Sequence, residues 1–163
     1  MRFQRPGGGK VAFGETATAC LRRYRQRNAK AHEAGGMLLG RLIDATQDIV
    51  VDEVTTPTPL DKRGRFFFFR DRLLAQRQVH IAWNESGHTR LYLGEWHSHP
   101  EDDPFPSQQD LKNWRRIGRA ADYEQDFLLF VIVGRRNTRV WELGKGQPLP
   151  VQLASLATHA GGD

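Results

Sequence analysis

Residues 94–110 read GEWHSHPEDDPFPSQQD, from Gly94 to Asp110, and the chain changes structural type twice within them. The alternation over Arg90–Trp96 is that of a strand with Leu91 and Leu93 on one face. Pro100, Pro104 and Pro106, set among acids, make a stiff loop. The sequence from about Gln108 to Arg119 is helical and opens on the pattern Ser107-x-x-Asp110. A strand feeding a helix through a short loop is the repeating unit of an α/β domain.

Working outward, two strands follow, Phe127–Val133 and Thr138–Leu143. Before the stretch, Asp71–Asn84 has helical spacing and ends near Gly87. Further back, Met37–Ile43 and Ile49–Val54 flank the polar loop 44–48 as a hairpin. Thr16–Ala31 lacks Gly and Pro and places Ala17, Cys20, Leu21 and Tyr24 on one stripe, which predicts a first helix opposite a row of arginines. Lys10–Phe13, after the break at Gly7–Gly9, reads as a short strand. The expected architecture is a single α/β domain over 1–150, a mixed central sheet flanked by helices. A Gly- and Pro-containing tail, with room for one short element, follows over 151–163. Phe66, Phe67, Phe68 and Phe69 cannot all face one side of a strand, so some are expected to pack inward and some to lie on a binding surface.

The chain has 163 residues, about the size of one domain, and carries 24 Lys and Arg against 19 Asp and Glu, a formal charge of +5. The lone Cys20 excludes an internal disulfide and a thiolate zinc site, so any metal must be held by His and carboxylates. The longest apolar run, Phe127–Val133, is far short of the roughly 20 residues of a membrane span. A cytoplasmic protein with no membrane contact is expected. The basic charge lacks a recognisable nucleic-acid module and equally suits an acidic protein partner.

Residues two apart on a strand share a face, so His97 and His99 can converge on one ion while Ser98 points away. Asp110, near the start of the next helix, can return to the strand end as the third ligand. Two nitrogens and one oxygen leave a fourth position for water, the arrangement of a catalytic site. Zinc is the expected ion, although iron, cobalt or manganese can take similar donors. Such a site needs a base that is not itself a ligand, and Glu33, just before Gly35 and Gly36, is the candidate. Ser107, one helical turn before Asp110, can offer its hydroxyl to an oxyanion. Taken singly, each feature has an ordinary explanation: paired strand histidines, a helix cap, an exposed Glu beside His32. The arginines at 22, 23, 25 and 27 read as a solvated helix face.

Together, Glu33 with Gly35, Gly36 and Leu38–Gly40, then His97-x-His99, seven residues, Ser107, two residues and Asp110, resemble the complete signature of the JAB/MPN (JAMM) zinc isopeptidases. The resemblance implies that family's cytidine-deaminase-like layering across most of the chain. It also implies zinc on His97, His99 and Asp110, Glu33 as general acid and base, and Ser107 at the oxyanion. The wording YLGEWHSHP with PSQQD and Trp114 is similar to the small bacterial branch found with cyclic-oligonucleotide (CBASS) anti-phage operons. That branch implies a deconjugating peptidase acting after the C-terminus of a cGAS-like nucleotidyltransferase. The substrate's C-terminal segment would then lie extended against a sheet edge, with Trp96 and Phe66–Phe69 as walls or, alternatively, as core residues. Competing readings are a JAB peptidase acting on another ubiquitin-like or sulfur-carrier protein, and a non-catalytic MPN scaffold, against which the complete residue set counts.

Overall fold

The computed structural model describes residues 1–156. The elements run β1 (Arg2–Gln4), β2 (Lys10–Phe13), α1 (Glu15–Arg23), β3 (Gly35–Leu42), β4 (Ile49–Val54), β5 (Lys62–Gly64) and β6 (Phe67–Phe69). They continue α2 (Arg72–Glu85), β7 (Leu91–Ser98), α3 (Gln108–Ala120), β8 (Phe127–Val133), β9 (Thr138–Gly144), β10 (Val151–Gln152) and β11 (Ala154–Ser155). Nine strands form one mixed sheet in the order β10-β9-β8-β7-β3-β4-β2-β1-β11, with β7–β8 and β2–β4 parallel, while β5 and β6 make a separate hairpin. This is the expected α/β arrangement.

The central strand β8, FLLFVIV, is buried on both faces, which explains its unbroken apolar run. Phe127, Leu129, Val131 and Val133 join an inner core with α1, Trp96 and Leu38. Leu128, Phe130 and Ile132 meet α3 on the outer face, where the Trp114 ring stacks on Phe130 at 4.7 Å. The other outer helix, α2, covers Met37 and Leu39 with Ala75 and Ala82 and is capped by Asp71, whose carboxylate accepts from the Leu74 amide at 2.8 Å. No helix among the described residues is long and apolar enough to cross a membrane.

The first helix is shorter than its sequence predicts. It stops at Arg23, because Gln26 turns inward and spends its side chain on distant backbone rather than on solvent. Residues 151–155, assigned to the tail by sequence, are strands of the sheet: β10 pairs with β9 and β11 with β1, and buried Leu153 lies between them. The sheet therefore curls until one short segment bridges both of its edges. The remaining tail positions, 157–163, lie outside the described residues.

A bulge in β7 sets the site. Leu38 pairs with Gly94 and Leu39 with Tyr92, so Leu93 is an extra residue. Leu91 and Leu93 face the inner core, as expected, and unbroken alternation would send His97 there too. The bulge reverses the parity, so that Trp96 and Ser98 are buried while Glu95 and His97 open onto the outer face. Gly94 makes this possible with φ at +144°, and a Cβ there would collide with the Leu129 carbonyl. Gly94→Ala is therefore expected to lower unfolding stability by about 3 kcal/mol, as read by denaturant titration.

Candidate active site

At the end of β7, His97 Nε2 lies 3.0 Å from His99 Nε2, 3.2 Å separates His97 Nε2 from Asp110 Oδ1, and 3.3 Å separates His99 Nε2 from Asp110 Oδ2. Around a tetrahedral ion with bonds near 2.0–2.1 Å, neighbouring donor atoms stand about 3.3 Å apart. The trio has this spacing, with two imidazole nitrogens turned toward one another and a carboxylate meeting both. Among the described residues these three form a group able to hold a metal ion.

The chain fixes each donor from a different element. His97 is on β7, and His99 is held just beyond it by its amide, which donates to the Val133 carbonyl at 3.0 Å. Asp110 sits in the first turn of α3 and closes a capping box with Ser107. The Ser107 hydroxyl donates to Asp110 Oδ2 at 2.7 Å and accepts from the Asp110 amide at 3.1 Å. The intervening acidic loop is pinned as well as stiffened, since the amides of Arg135 and Asn137 donate to the carbonyls of Glu101 and Asp102.

Electrostatics prepare the same set. Burial works to raise the Asp110 carboxyl, but hydrogen bonds from His97 and His99 hold it well below the usual carboxylate range. Burial works to lower the His99 imidazole, and the hydrogen bond and charge of Asp110, with Glu33 and Glu101, raise it instead. Glu101 Oε2 lies 3.3 Å from His99 Nδ1, where it can hold that nitrogen's proton and leave Nε2 free as a donor atom. Glu101 stands only two residues after His99, but nothing in the sequence pattern distinguishes it from Asp102 and Asp103 beside it.

Glu33 is no exposed helix-end residue: it is 6% exposed and opens onto the same cleft as the trio. Burial pushes its carboxyl up to about 7, against the pull of His99 and with Asp110 and Glu101 adding to the rise. Its backbone is clipped by the β5–β6 hairpin. The Glu33 amide donates to the Gly64 carbonyl at 2.7 Å, and Arg63 Nε donates to the Glu33 carbonyl at 2.7 Å. Phe68 of that hairpin lies over Gly35, leaving no room for a Cβ.

Gln26 is a further organiser that the sequence reading missed, hidden inside an over-long predicted helix. Its Nε2 donates to the carbonyls of Ala31 and Arg65, and its Oε1 accepts from Ser98 Oγ at 3.2 Å. That hydroxyl in turn accepts from the Ala34 amide at 2.9 Å. One buried side chain thus ties the histidine strand, the Glu33 segment and the hairpin together. Gln26→Leu strands two carbonyls and the serine, so a loss of about 2 kcal/mol and faster hydrogen exchange at the Ala34 amide are expected.

The cleft holds about 850 Å³ between α3 and the wall formed by α2 and the hairpin. Phe66, Phe67 and Phe69 are exposed large hydrophobics, and all four phenylalanines of the run line the cleft. Trp96 borders the cleft as well, but it is 1% exposed, and its ring packs against Tyr24 in the inner core and donates from Nε1 to the Thr55 carbonyl, because the bulge turned it inward.

A family model described as prokaryotic homologs of the JAB domain matches residues 19–144. The chain belongs to this family. Its JAB domain is 38% identical over 127 residues to the CD-NTase/cGAS isopeptidase of Vibrio cholerae serotype O1, covering 78% of this chain and 77% of that protein. Proteins of the same name match from Pseudomonas aeruginosa, 37% identical with 83% and 84% covered, and from Escherichia coli, 35% identical with 77% and 74% covered. The JAB fold is also shared with the solution structure of protein DSY2949 from Desulfitobacterium hafniense, at a TM-score of 0.58 and 21% identity, covering 87% and 88% of the two chains.

Proposed function

We propose that this JAB domain is a zinc-dependent isopeptidase of the cytoplasm that cleaves after the C-terminus of a conjugated nucleotidyltransferase of the CD-NTase/cGAS class, in anti-phage defence. The observation that carries the reading is the His97, His99 and Asp110 trio opening into one cleft with buried Glu33. Relatives named for that activity, aligned over most of both chains, support the choice of substrate.

Bound to the trio, a zinc ion would supply Lewis acidity and a water of lowered pKa. Glu33 takes the proton of the attacking water and delivers it to the leaving amine as the C–N bond breaks and a C–O bond forms. Ser107 can turn its hydroxyl proton from Asp110 toward the carbonyl oxygen as negative charge develops there. Glu101, 3.3 Å from His99 Nδ1, would leave Nε2 of His99 available as a donor to a bound zinc. Among the described residues, β6 pairs only with β5, so its other edge can receive the substrate's extended C-terminal segment beside the phenylalanines. A non-catalytic scaffold would have no use for a complete donor set beside a buried acid.

The test is cleavage of a nucleotidyltransferase fused at its C-terminus to a fluorescent protein. Release of the fluorescent protein, abolished by a chelator and restored by zinc, is expected. A zinc-loaded enzyme that leaves the fusion intact would overturn the substrate assignment.

A further inference from the structure

Arg5, Arg41, Arg70, Arg90, Arg135, Arg136 and Arg139 are each matched by a carboxylate. Around the end of α1 and on the hairpin, Arg22, Arg25, Arg27, Lys30, Lys62 and Arg65 form no ion pair among the described residues, and neither do Arg72 and Arg77 on α2 or Lys112, Arg115, Arg116 and Arg119 on α3.

The cations around the end of α1 and on the hairpin belong to one surface. Gln26 bonds the Arg65 carbonyl, and Arg63 reaches the carbonyls of His32 and Glu33, so the segment after α1 lies directly against the hairpin. The crowding has a cost: burial, then the charges of Arg22 and Arg27, pull the Arg25 guanidinium below its ordinary value. Uncompensated like charge held together on a fold is stabilised by an oppositely charged partner. The surface is also continuous with the cleft, because the Arg65 guanidinium covers the Phe66 ring at 5.0 Å and Phe66 lines the cleft wall.

We propose that this basic surface docks an acidic face on the folded body of the conjugated substrate whose C-terminal segment enters the cleft. This inference rests on the isopeptidase reading above. A protein partner is favoured over nucleic acid because the surface adjoins the cleft wall through Arg65 and Phe66, and the exposed phenylalanines that could stack on bases line that cleft. Charge at the edge of an interface acts mainly on association rate and is screened by salt.

The experiment compares two substrates: the nucleotidyltransferase fused to a fluorescent protein, and its C-terminal segment alone before the same fluorescent protein. Arg27→Glu with Lys30→Glu is set against a charge-matched control, Lys10→Glu with Lys145→Glu. In low salt, kcat/KM of the patch variant is expected to fall roughly 10- to 100-fold on the whole-protein fusion, with the short substrate unaffected. Added salt should slow the wild type on the whole-protein fusion toward the variant. Equal rates for both variants on the whole-protein fusion, or an equal loss on both substrates, would overturn the docking surface while leaving the isopeptidase intact. Loss of duplex DNA binding by the patch variant, with cleavage of the whole-protein fusion unchanged, would reassign the surface to nucleic acid. Failure of wild-type enzyme to cut either substrate would overturn the isopeptidase reading and this one with it.

Discussion

Glu33→Gln is expected to abolish hydrolysis, by about three orders of magnitude or more, while leaving the metal content unchanged. The carboxylate lies outside the donor trio, so the ion does not depend on it, and the amide can neither take nor return a proton. The same substitution should stabilise the metal-free protein at neutral pH. The folded carboxyl sits at about 7 against an ordinary value of 4.5. Below the ordinary value both states are protonated and Glu33 is without effect. As pH rises through this window the unfolded chain releases its proton first, and stability falls until the folded group has ionised as well. The loss is on the order of 3 kcal/mol. Metal-free wild type and Glu33→Gln should therefore melt together near pH 4 and diverge by several degrees above pH 7, with the variant higher. Zinc should narrow the gap by drawing the carboxyl downward. For that reason the acid limb of kcat/KM in the loaded enzyme is expected between the two values, readable from a pH–rate profile.

The second large effect is His97→Ala, expected to take bound zinc from about one per chain to none and activity to background. Two donors remain after the change, His99 and Asp110, and the closed triangle of 3.0, 3.2 and 3.3 Å is gone. Elemental analysis of wild type beside the variant reads the first outcome. Thermal melting gives an independent check, since an ion at a thousand times its dissociation constant stabilises the fold it binds by about 4 kcal/mol. The wild type should melt higher with zinc and the variant should not respond. Full zinc occupancy in His97→Ala would remove His97 from the site.

The contrast between these residues and Gln26 shows what the sequence could reveal. His97 and His99 were legible because a strand's period of two puts them on one side, and Ser107 with Asp110 because a capping box is local. The hairpin of β3 and β4 was legible from two apolar runs around a polar loop. Gln26 was not, since its partners at Ala31, Arg65 and Ser98 come from separate segments and only the folded chain brings them together. The same non-local bonds cut α1 short where local propensity would have continued it. The bulge at Gly94 was equally hidden: alternation read from Leu91 and Leu93 puts Trp96 in the cleft, and one extra residue puts it in the core. The three-residue β1 and the two-residue β10 and β11 are too short to show any period.

The bridge at Leu153 bears on how the protein is made. Because β11 pairs with β1 and β10 with β9, the outer edge of β1 is satisfied only by residues about 150 positions further along the chain. A ribosome must release residues 151–155 from its exit tunnel before the sheet can close, so the inner core keeps an open seam until then. The candidate site at the end of β7 thus stands in a sheet whose two edges are joined by a segment more than fifty residues downstream of it.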